Sequence, residues 1–329
     1  MHNLTAQNIW KIDSTELYRL LDSGILKSQS RTIRFYAPSF SYYKTKYFCS
    51  SASDFPTISV MGNTCDLNCK HCAGKILETM HPVMTPQELF ELGVQLKRNG
   101  AKGVLVSGGC LPDGSIPLED FTPVLGLFKR KLGLKVFVHT GMLGVETAIL
   151  LKKAEVDAAL IDVIGSEQTA KWIFDLKIGV QDYVKSLRIL TNANLNIVPH
   201  VIVGLNQGKL DGEYNALQII EENTKPRTIV IIAFMPIRGT KMEKTSPPQP
   251  IDIAKVVATA RLMFPDTPIV LGCMRPKGRL RSETDVLALK AGVDGIAFPS
   301  EEAIVYAKKT HEITYSSYCC AEMIFDFYR

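Results

Sequence analysis

Three absences bound the function before any motif is read. No apolar run approaches the roughly 18 residues that would suggest a membrane span. The N-terminus, MHNLTAQNIWKIDSTEL, lacks the basic-then-apolar build of a signal peptide. The 38 basic and 33 acidic residues leave a formal charge of only +5, and no basic run or aromatic–basic signature gathers them into a nucleic-acid surface. Together these predict a soluble, cytoplasmic protein with neither nucleic acid nor membrane among its partners. The mild positive charge offers at most weak steering of acidic partners.

What is present is a globular composition, 46% hydrophobic over 329 residues, enough for one large barrel domain or two ordinary ones. Short β-branched runs at 57–62, 103–108, 135–140, 158–164, 196–204, 227–235, 268–273 and 294–298 read as strands. Helical patterns fill the gaps: one opens at Thr85, Pro86 and Glu88 as a capping box with Leu89, Leu92 and Leu96 on one face. Others lie at 119–132, 143–153, 180–193, 211–223, 251–264, 281–291 and 301–309. Strand after helix in this number predicts an α/β fold, a (βα)8 TIM-type barrel, with a doubly wound open sheet as the alternative. The barrel is expected over 57–309. Residues 1–56 form a lead-in, with a helix capped by Ser14 or Thr15 and burying Leu17, Leu20 and Leu21, then the aromatic stretch RFYAPSFSYYKTKYFC. Residues 310–329 form a tail carrying Cys319 and Cys320. Both flanking segments are expected over the barrel mouth.

Eight cysteines in a cytosolic chain point to metal binding or catalysis rather than disulfides. Cys65, Cys69 and Cys72 lie in CDLNCKHC, spaced C-x3-C-x2-C, directly after the first barrel strand. Three thiolates on one loop suit three irons of a [4Fe-4S] cube, leaving the fourth iron open to the amino and carboxylate groups of S-adenosylmethionine (SAM). Reductive cleavage of the sulfonium would then release a 5′-deoxyadenosyl radical. Zinc is the competing reading, but it usually takes four ligands, and His71, beside Cys72, is not expected to face the same ion. Three unrelated cysteines at this density is the blandest reading.

CDLNCKHC resembles the cysteine loop of the radical SAM superfamily in spacing and position. In that family an aromatic residue near the adenine precedes the last cysteine; here it is His71. VLVSGGC resembles the second-strand Gly-Gly-Glu motif that receives the methionine amino group, through Ser107, Gly108 and Gly109, with Cys110 where Glu is common. HVIVGL, with Val203 and Gly204, and FMPIRGT, with Pro236, are similar to segments beside the nucleoside. Thr140 and Asp162, at the ends of strands three and four, are cofactor-side candidates, Asp162 for a ribose hydroxyl or for capping the next loop. His139 is expected at the barrel mouth, and His200 as a structural histidine.

A full set of eight units resembles biotin synthase and its relatives. In sulfur-inserting members an auxiliary iron–sulfur cluster donates the sulfur, and Cys49, Cys110, Cys273, Cys319 and Cys320 are candidates for its ligands. Arg238 and Arg275 are candidates for a substrate carboxylate, or solvated rim charges, and Arg279 lies in the same last unit. The segments FYAPSF, CDLNCKHC, SGGC and CMRPKGR look like those of an archaeal-type group that includes the two-protein lipoyl synthase, and this chain is most similar to its second component. That resemblance implies an octanoylated lipoyl-carrier protein or peptide as substrate, a second radical SAM protein, and an electron donor such as ferredoxin. A radical SAM enzyme without sulfur insertion and a non-catalytic metal-bound subunit are the alternatives.

Overall fold

Each run read as a barrel strand is a strand in the computed structural model, which describes residues 4–28, 30–174 and 178–328. The ladders are shorter than the apolar runs: β2 (Thr57–Ser59), β4 (Gly103–Ser107), β5 (Lys135–His139), β6 (Ala158–Val163), β7 (Ile197–Val203), β8 (Ile229–Ala233), β9 (Ile269–Leu271) and β10 (Gly295–Ala297). Three further strands come from elsewhere: β1 (Thr32–Tyr36) from the lead-in, the two-residue β3 (His81–Pro82), and β11 (Glu312–Ser316) from the tail. All pair in parallel in the order β11-β1-β10-β9-β8-β7-β6-β5-β4-β2-β3. The eight units therefore stand side by side in chain order, as a TIM-type fold requires. Among the described residues no ladder joins β10 to β2. The edge beside β10 is taken by β1, with Phe35 opposite Ile296, and β11 pairs outside it. The sheet is a curled, open barrel of eleven strands.

Helices cover its outer face: α3 (Pro86–Arg98), α4 (Thr122–Arg130), α5 (Val145–Lys153), α6 (Glu167–Phe174), α7 (Val180–Asn192), α8 (Glu213–Asn223), α9 (Pro250–Met263), α10 (Arg279–Lys290) and α11 (Glu301–Thr310). The capping box of α3 is formed: Glu88 N–H donates to Thr85 Oγ1 at 3.2 Å, and Thr85 N–H donates to the Glu88 carboxylate at 3.1 Å. Two more helices precede the sheet, α1 (Ala6–Lys11) and α2 (Ser14–Asp22). The cap of α2 is neither Ser14 nor Thr15 but Asp13, whose carboxylate accepts the Glu16 N–H at 2.9 Å. A carboxylate there also meets the positive end of the helix dipole. Leu17 and Leu21 are buried as expected, while Leu20 is only half-buried. The Lys255 ammonium of α9 donates to the carbonyls of Trp10 (3.4 Å) and Ile12 (2.7 Å), fastening the lead-in to the barrel wall.

Strand alternation divides the core in two. Val136, Val138, Ile161, Val201, Ile231 and Leu271 belong to the larger core, which also takes in buried residues of the helices. Phe137, Leu160, Val198, Val230, Val270 and Ala297 form a second cluster in the lumen. The tail completes that second cluster. Tyr318 lies 5.2 Å from the Phe55 ring, Phe325 stacks 6.0 Å from Phe137, and the Lys135 ammonium sits 4.3 Å from Phe325. Phe55 precedes β2 and Lys135 begins β5, so the tail enters the lumen from the strand-start end, opposite the cysteine loop. The reason is apolar: Cys319, Cys320, Ala321, Met323 and Ile324 are all buried there in the lumen cluster.

Candidate metal centre

The cysteine loop leaves β2 through Val60, whose N–H donates to the Ser107 carbonyl at 2.9 Å, so loop and β4 start out zipped together. Left-handed residues turn it tightly: Gly62, Asn68, Ala73 and Gly74 all have positive φ. Ala73 N–H and Cys72 N–H both donate to the Cys69 carbonyl, at 2.8 and 3.1 Å. Lys70 ties the outer side to α6, its N–H donating to the Ile173 carbonyl at 3.1 Å and its ammonium to the Trp172 carbonyl at 2.5 Å. The β4 loop closes the other side. Asp66 N–H donates to the Cys110 carbonyl at 2.9 Å, and Cys110 N–H donates to Cys65 Sγ at 3.3 Å. Gly109 is what allows this approach, since a Cβ there would fall 1.9 Å from the Thr64 carbonyl oxygen.

Cys69 is buried and Cys65 and Cys72 are half-buried. The Cys72 thiol is pushed down to about 4, chiefly by the hydrogen bond it accepts from the Cys69 thiol, against burial and with help from His71. Cys69, the donor, is pushed up by the same bond and by burial. Cys65 is pushed down to about 6 by hydrogen bonding from the Cys110 thiol, against burial, with backbone N–H groups adding to it. Cys110 rises in turn. Both shifts favour the thiolate, which is the metal-binding form. His71 departs from expectation: its ring nitrogen lies within 4.8 Å of the Cys69 and Cys72 sulfurs, so it does share their space. Its Nδ1 is buried with no hydrogen-bond partner. Geometry alone would leave a three-donor zinc site open.

Comparison with known proteins decides between the two. Residues 59–210 match the Radical SAM superfamily model, and residues 231–316 match the Biotin and Thiamin Synthesis associated domain. Residues 59–210 are a radical SAM domain. It is 26% identical over 246 residues to biotin synthase of Coxiella burnetii (strain RSA 493 / Nine Mile phase I), spanning 73% of this chain and 75% of the relative. It is 27% identical over 266 residues to biotin synthase of Prochlorococcus marinus (strain MIT 9301), spanning 78% and 76%. Among solved structures, methylornithine synthase (PylB) superposes with a TM-score of 0.60 at 16% identity, covering 89% of this chain and 81% of that one, a likeness of fold.

A radical SAM domain implies a [4Fe-4S] cluster and SAM, and the residues present fit them. Three thiols come from one loop, those of Cys65 and Cys72 are pushed below the ordinary cysteine range, and a ring nitrogen of His71 lies within 4.8 Å of the Cys69 and Cys72 sulfurs.

Of the other residues singled out in the sequence, Ser107 ends β4 and Gly108 and Gly109 follow it beside the loop. Val203 ends β7, buried, and Gly204 turns away from it with positive φ, its N–H donating to the Glu213 carboxylate at 2.8 Å. Pro236 is half-buried after β8, while Arg238 and Arg279 are exposed. Thr140 is buried and spends its hydroxyl on the Gly141 carbonyl at 2.9 Å. Arg275 is not a rim charge. It is fully buried, bonding the Asp285 carboxylate at 2.7 Å and the carbonyls of Gly272 and Phe298 at 2.6 and 3.2 Å. An interior guanidinium persists only with such partners. Cys49 is exposed on a surface bridge, and Cys110 adjoins the first loop. Cys273 packs against the lumen cluster that contains Cys319 and Cys320.

The sequence reading named His139, Asp162 and His200 separately and missed that they meet. Alternation carried the signal: each lies two residues beyond a lumen residue, Phe137, Leu160 or Val198. His139 Nε2 is 3.4 Å from the Asp162 carboxylate, and the two imidazole rings are 5.7 Å apart. Against burial, His139 and His200 hold the Asp162 carboxyl down at about 2, and His139 is raised because Asp162 outweighs its burial. Burial lowers His200 to about 4.

Proposed function

We propose that this radical SAM protein inserts sulfur at an unactivated C–H bond, converting an octanoyl chain on a carrier-protein lysine toward a lipoyl group. One observation carries the proposal: behind a radical SAM domain, a Biotin and Thiamin Synthesis associated domain spans 231–316, and its Cys273 shares a lumen cluster with Cys319 and Cys320. The motif resemblance to the second component of a two-protein lipoyl synthase narrows the substrate.

When bound and reduced, the cluster and SAM supply a 5′-deoxyadenosyl radical able to abstract hydrogen from an alkyl chain. The chain's own residues do the rest. Cys65, Cys69 and Cys72 would hold three irons, Gly109 lets the β4 loop close on the cysteine loop, and Gly108 and His71 would border SAM. Cys273, Cys319 and Cys320 are the residues that would hold a sulfur-donating auxiliary cluster. Cys49, exposed on the surface, and Cys110, bonded to Cys65, are less suited. Phe40, Tyr43 and Phe298 pack together beside the lumen cluster and help exclude water from a reactive carbon radical. A second radical SAM protein and a ferredoxin-type electron donor complete the proposed system.

The test is reconstituted protein, with and without a second radical SAM protein, given an octanoylated carrier peptide, SAM and a reductant. Peptide mass is read against 5′-deoxyadenosine formed. Gain of sulfur, abolished by Cys273→Ser while 5′-deoxyadenosine still forms, is the expected result. Uncoupled 5′-deoxyadenosine with no sulfur gain under either condition would overturn the proposal.

A further inference from the structure

Cations scattered along the sequence are gathered by the fold on one side of the barrel mouth. The β8–α9 loop, 234–249, carries Arg238, Lys241 and Lys244 against a single acid, Glu243, whose carboxylate accepts the Gly239 N–H at 2.7 Å. Segment 272–279 adds Lys277 and Arg279 and no acid, its Arg275 being spent on Asp285. The two segments are joined where the Ala233 N–H donates to the Met274 carbonyl at 2.8 Å. All five of these side chains are exposed. Lys75 of the cysteine loop extends the arc, because a Cβ on Gly239 would lie 2.9 Å from its Cε and 3.1 Å from its Nζ. Among the described residues none of the six cations is in an ion pair. Across the mouth the charge reverses. Segments 108–122 and 140–147, which follow β4 and β5, hold Asp113, Glu119, Asp120 and Glu146 and no Lys or Arg.

Charge and position together say what such an arc receives. Unpaired cations along one rim set up a positive field that an acidic surface relieves on docking. The arc also starts on the cluster loop: Lys75 and Ile76 are three and four residues beyond Cys72, and Ile76 keeps 38% of its surface exposed. Met84, 60% exposed, lies at the start of the same loop, its Sδ 3.0 Å from where a Cβ on Gly62 would stand. A small apolar centre beside a charged rim is the anatomy of a transient protein contact, and electron-transfer pairs sit at the small end, below about 1,200 Å². An electron bound for the irons crosses protein at a rate that falls steeply with distance, so its donor must sit against the residues beside Cys72. A substrate carrier has no such need, since only its extended arm has to reach the lumen.

We propose that this arc is the docking surface of the electron donor, a small acidic ferredoxin-type protein seated over Ile76 with its carboxylates on Lys241, Lys244, Lys277 and the neighbouring arginines. The inference rests on the donor named in the proposed function and needs nothing of the sulfur chemistry. One electron leaves the donor, which is oxidised, and the cluster is reduced; no bond forms or breaks at the contact. Because the attraction is between exposed charges, it weakens as salt shortens their reach from about 10 Å at 0.1 M to about 3 Å at 1 M.

The probe is an acidic two-cluster ferredoxin, reduced and then freed of reductant, with dithionite in a parallel arm. Two triple variants of the cluster-loaded protein are compared with wild type: Lys241/Lys244/Lys277→Gln on the arc, and Lys97/Lys131/Lys153→Gln at the C-terminal ends of α3, α4 and α5. Each takes the formal charge from +5 down by three. At low salt, ferredoxin-driven 5′-deoxyadenosine formation is expected to slow at least about tenfold in the arc variant and less than about twofold in the remote one. With dithionite all three proteins should match, and high salt should bring the ferredoxin-driven wild type down to the arc variant. Carbodiimide joins lysine amines to carboxylates in contact, and peptide mapping is expected to find ferredoxin linked to Lys241, Lys244 or Lys277. That cross-link reads docking whether or not SAM is cleaved, so failure of the radical chemistry and failure of the surface are told apart. An undiminished ferredoxin-driven rate in the arc variant, equal slowing in both variants, slowing under dithionite as well, or cross-links confined to lysines off the arc overturns the proposal.

Discussion

Replacing Gly109 with alanine tests the packing of the cluster loop with a single methyl group. The added Cβ would lie 1.9 Å from the Thr64 carbonyl oxygen and 2.8 Å from both Cα and Cβ of Cys65. Ordinary contact begins at 3.4 Å, so the loop must retreat by roughly 1.5 Å. Backbone is what blocks the methyl, and no side chain can rotate out of the way. Retreat breaks the Asp66 N–H bond to the Cys110 carbonyl and the Cys110 N–H bond to Cys65 Sγ, each worth about 0.5–1.5 kcal/mol. With overpacking strain of about 1–3 kcal/mol, the local cost comes to roughly 2–6 kcal/mol, concentrated on the residues that set the three sulfurs. Neighbouring Gly108 is the control: its Cβ would come nearest to the side chains of Val60 and Ile116, at 3.2 and 3.3 Å, and to Met61 N at 3.5 Å. After anaerobic reconstitution, Gly108→Ala is expected to hold wild-type iron and Gly109→Ala to have lost most of the iron of the first loop, with both still melting cooperatively. Full iron and undiminished 5′-deoxyadenosine formation in Gly109→Ala would show that the approach of the β4 loop is not what positions the cysteines.

Two further predictions rest on side-chain electrostatics. Asp285→Ala strips the partner from Arg275, both 0% exposed, and also frees the Ser300 N–H; breaking such a pair costs about 3–5 kcal/mol, measured by urea unfolding. A loss under 1 kcal/mol would mean the guanidinium finds water. In cluster-free protein, iodoacetamide at pH 6–7 is expected to label Cys72 first and Cys65 next. Their thiolates persist above about 4 and about 6, whereas burial keeps Cys319 and Cys320 protonated. Peptide mapping reads the order, and lowering the pH below 4 should silence Cys72 as well. Preferential labelling of Cys320 at pH 6 would contradict the electrostatics of the loop.

The eight barrel strands were legible because each is a β-branched run bounded by turn residues, and α3 because its cap is local chemistry between Thr85 and Glu88. What escaped is non-local. The pairing of Arg34 with Gly295 that brings the lead-in into the sheet depends on an edge that exists only after eight units have curled. Likewise the tail looks too irregular for a barrel unit, yet Tyr318 and Phe325 find rings already waiting in the lumen. The cysteine loop was readable from spacing alone, but the swing of His71 toward Cys69 and Cys72 was not, since adjacent residues usually diverge. Arg275 was misread because a charged residue in a loop suggests solvent or substrate, and its internal partner Asp285 lies ten residues away on α10. His139, Asp162 and His200 were each visible, but only β-sheet register brings them together.

Iron, acid-labile sulfide and 5′-deoxyadenosine, measured on anaerobically reconstituted wild type and on the Cys65/Cys69/Cys72→Ala variant with SAM and a reductant, bear most directly on the cluster loop. Wild type should carry about four irons more than the variant and should alone form 5′-deoxyadenosine. An auxiliary cluster would appear as iron that the variant keeps. Equal iron in the two proteins, or SAM left uncleaved by a fully loaded wild type, would contradict a radical SAM centre on this loop.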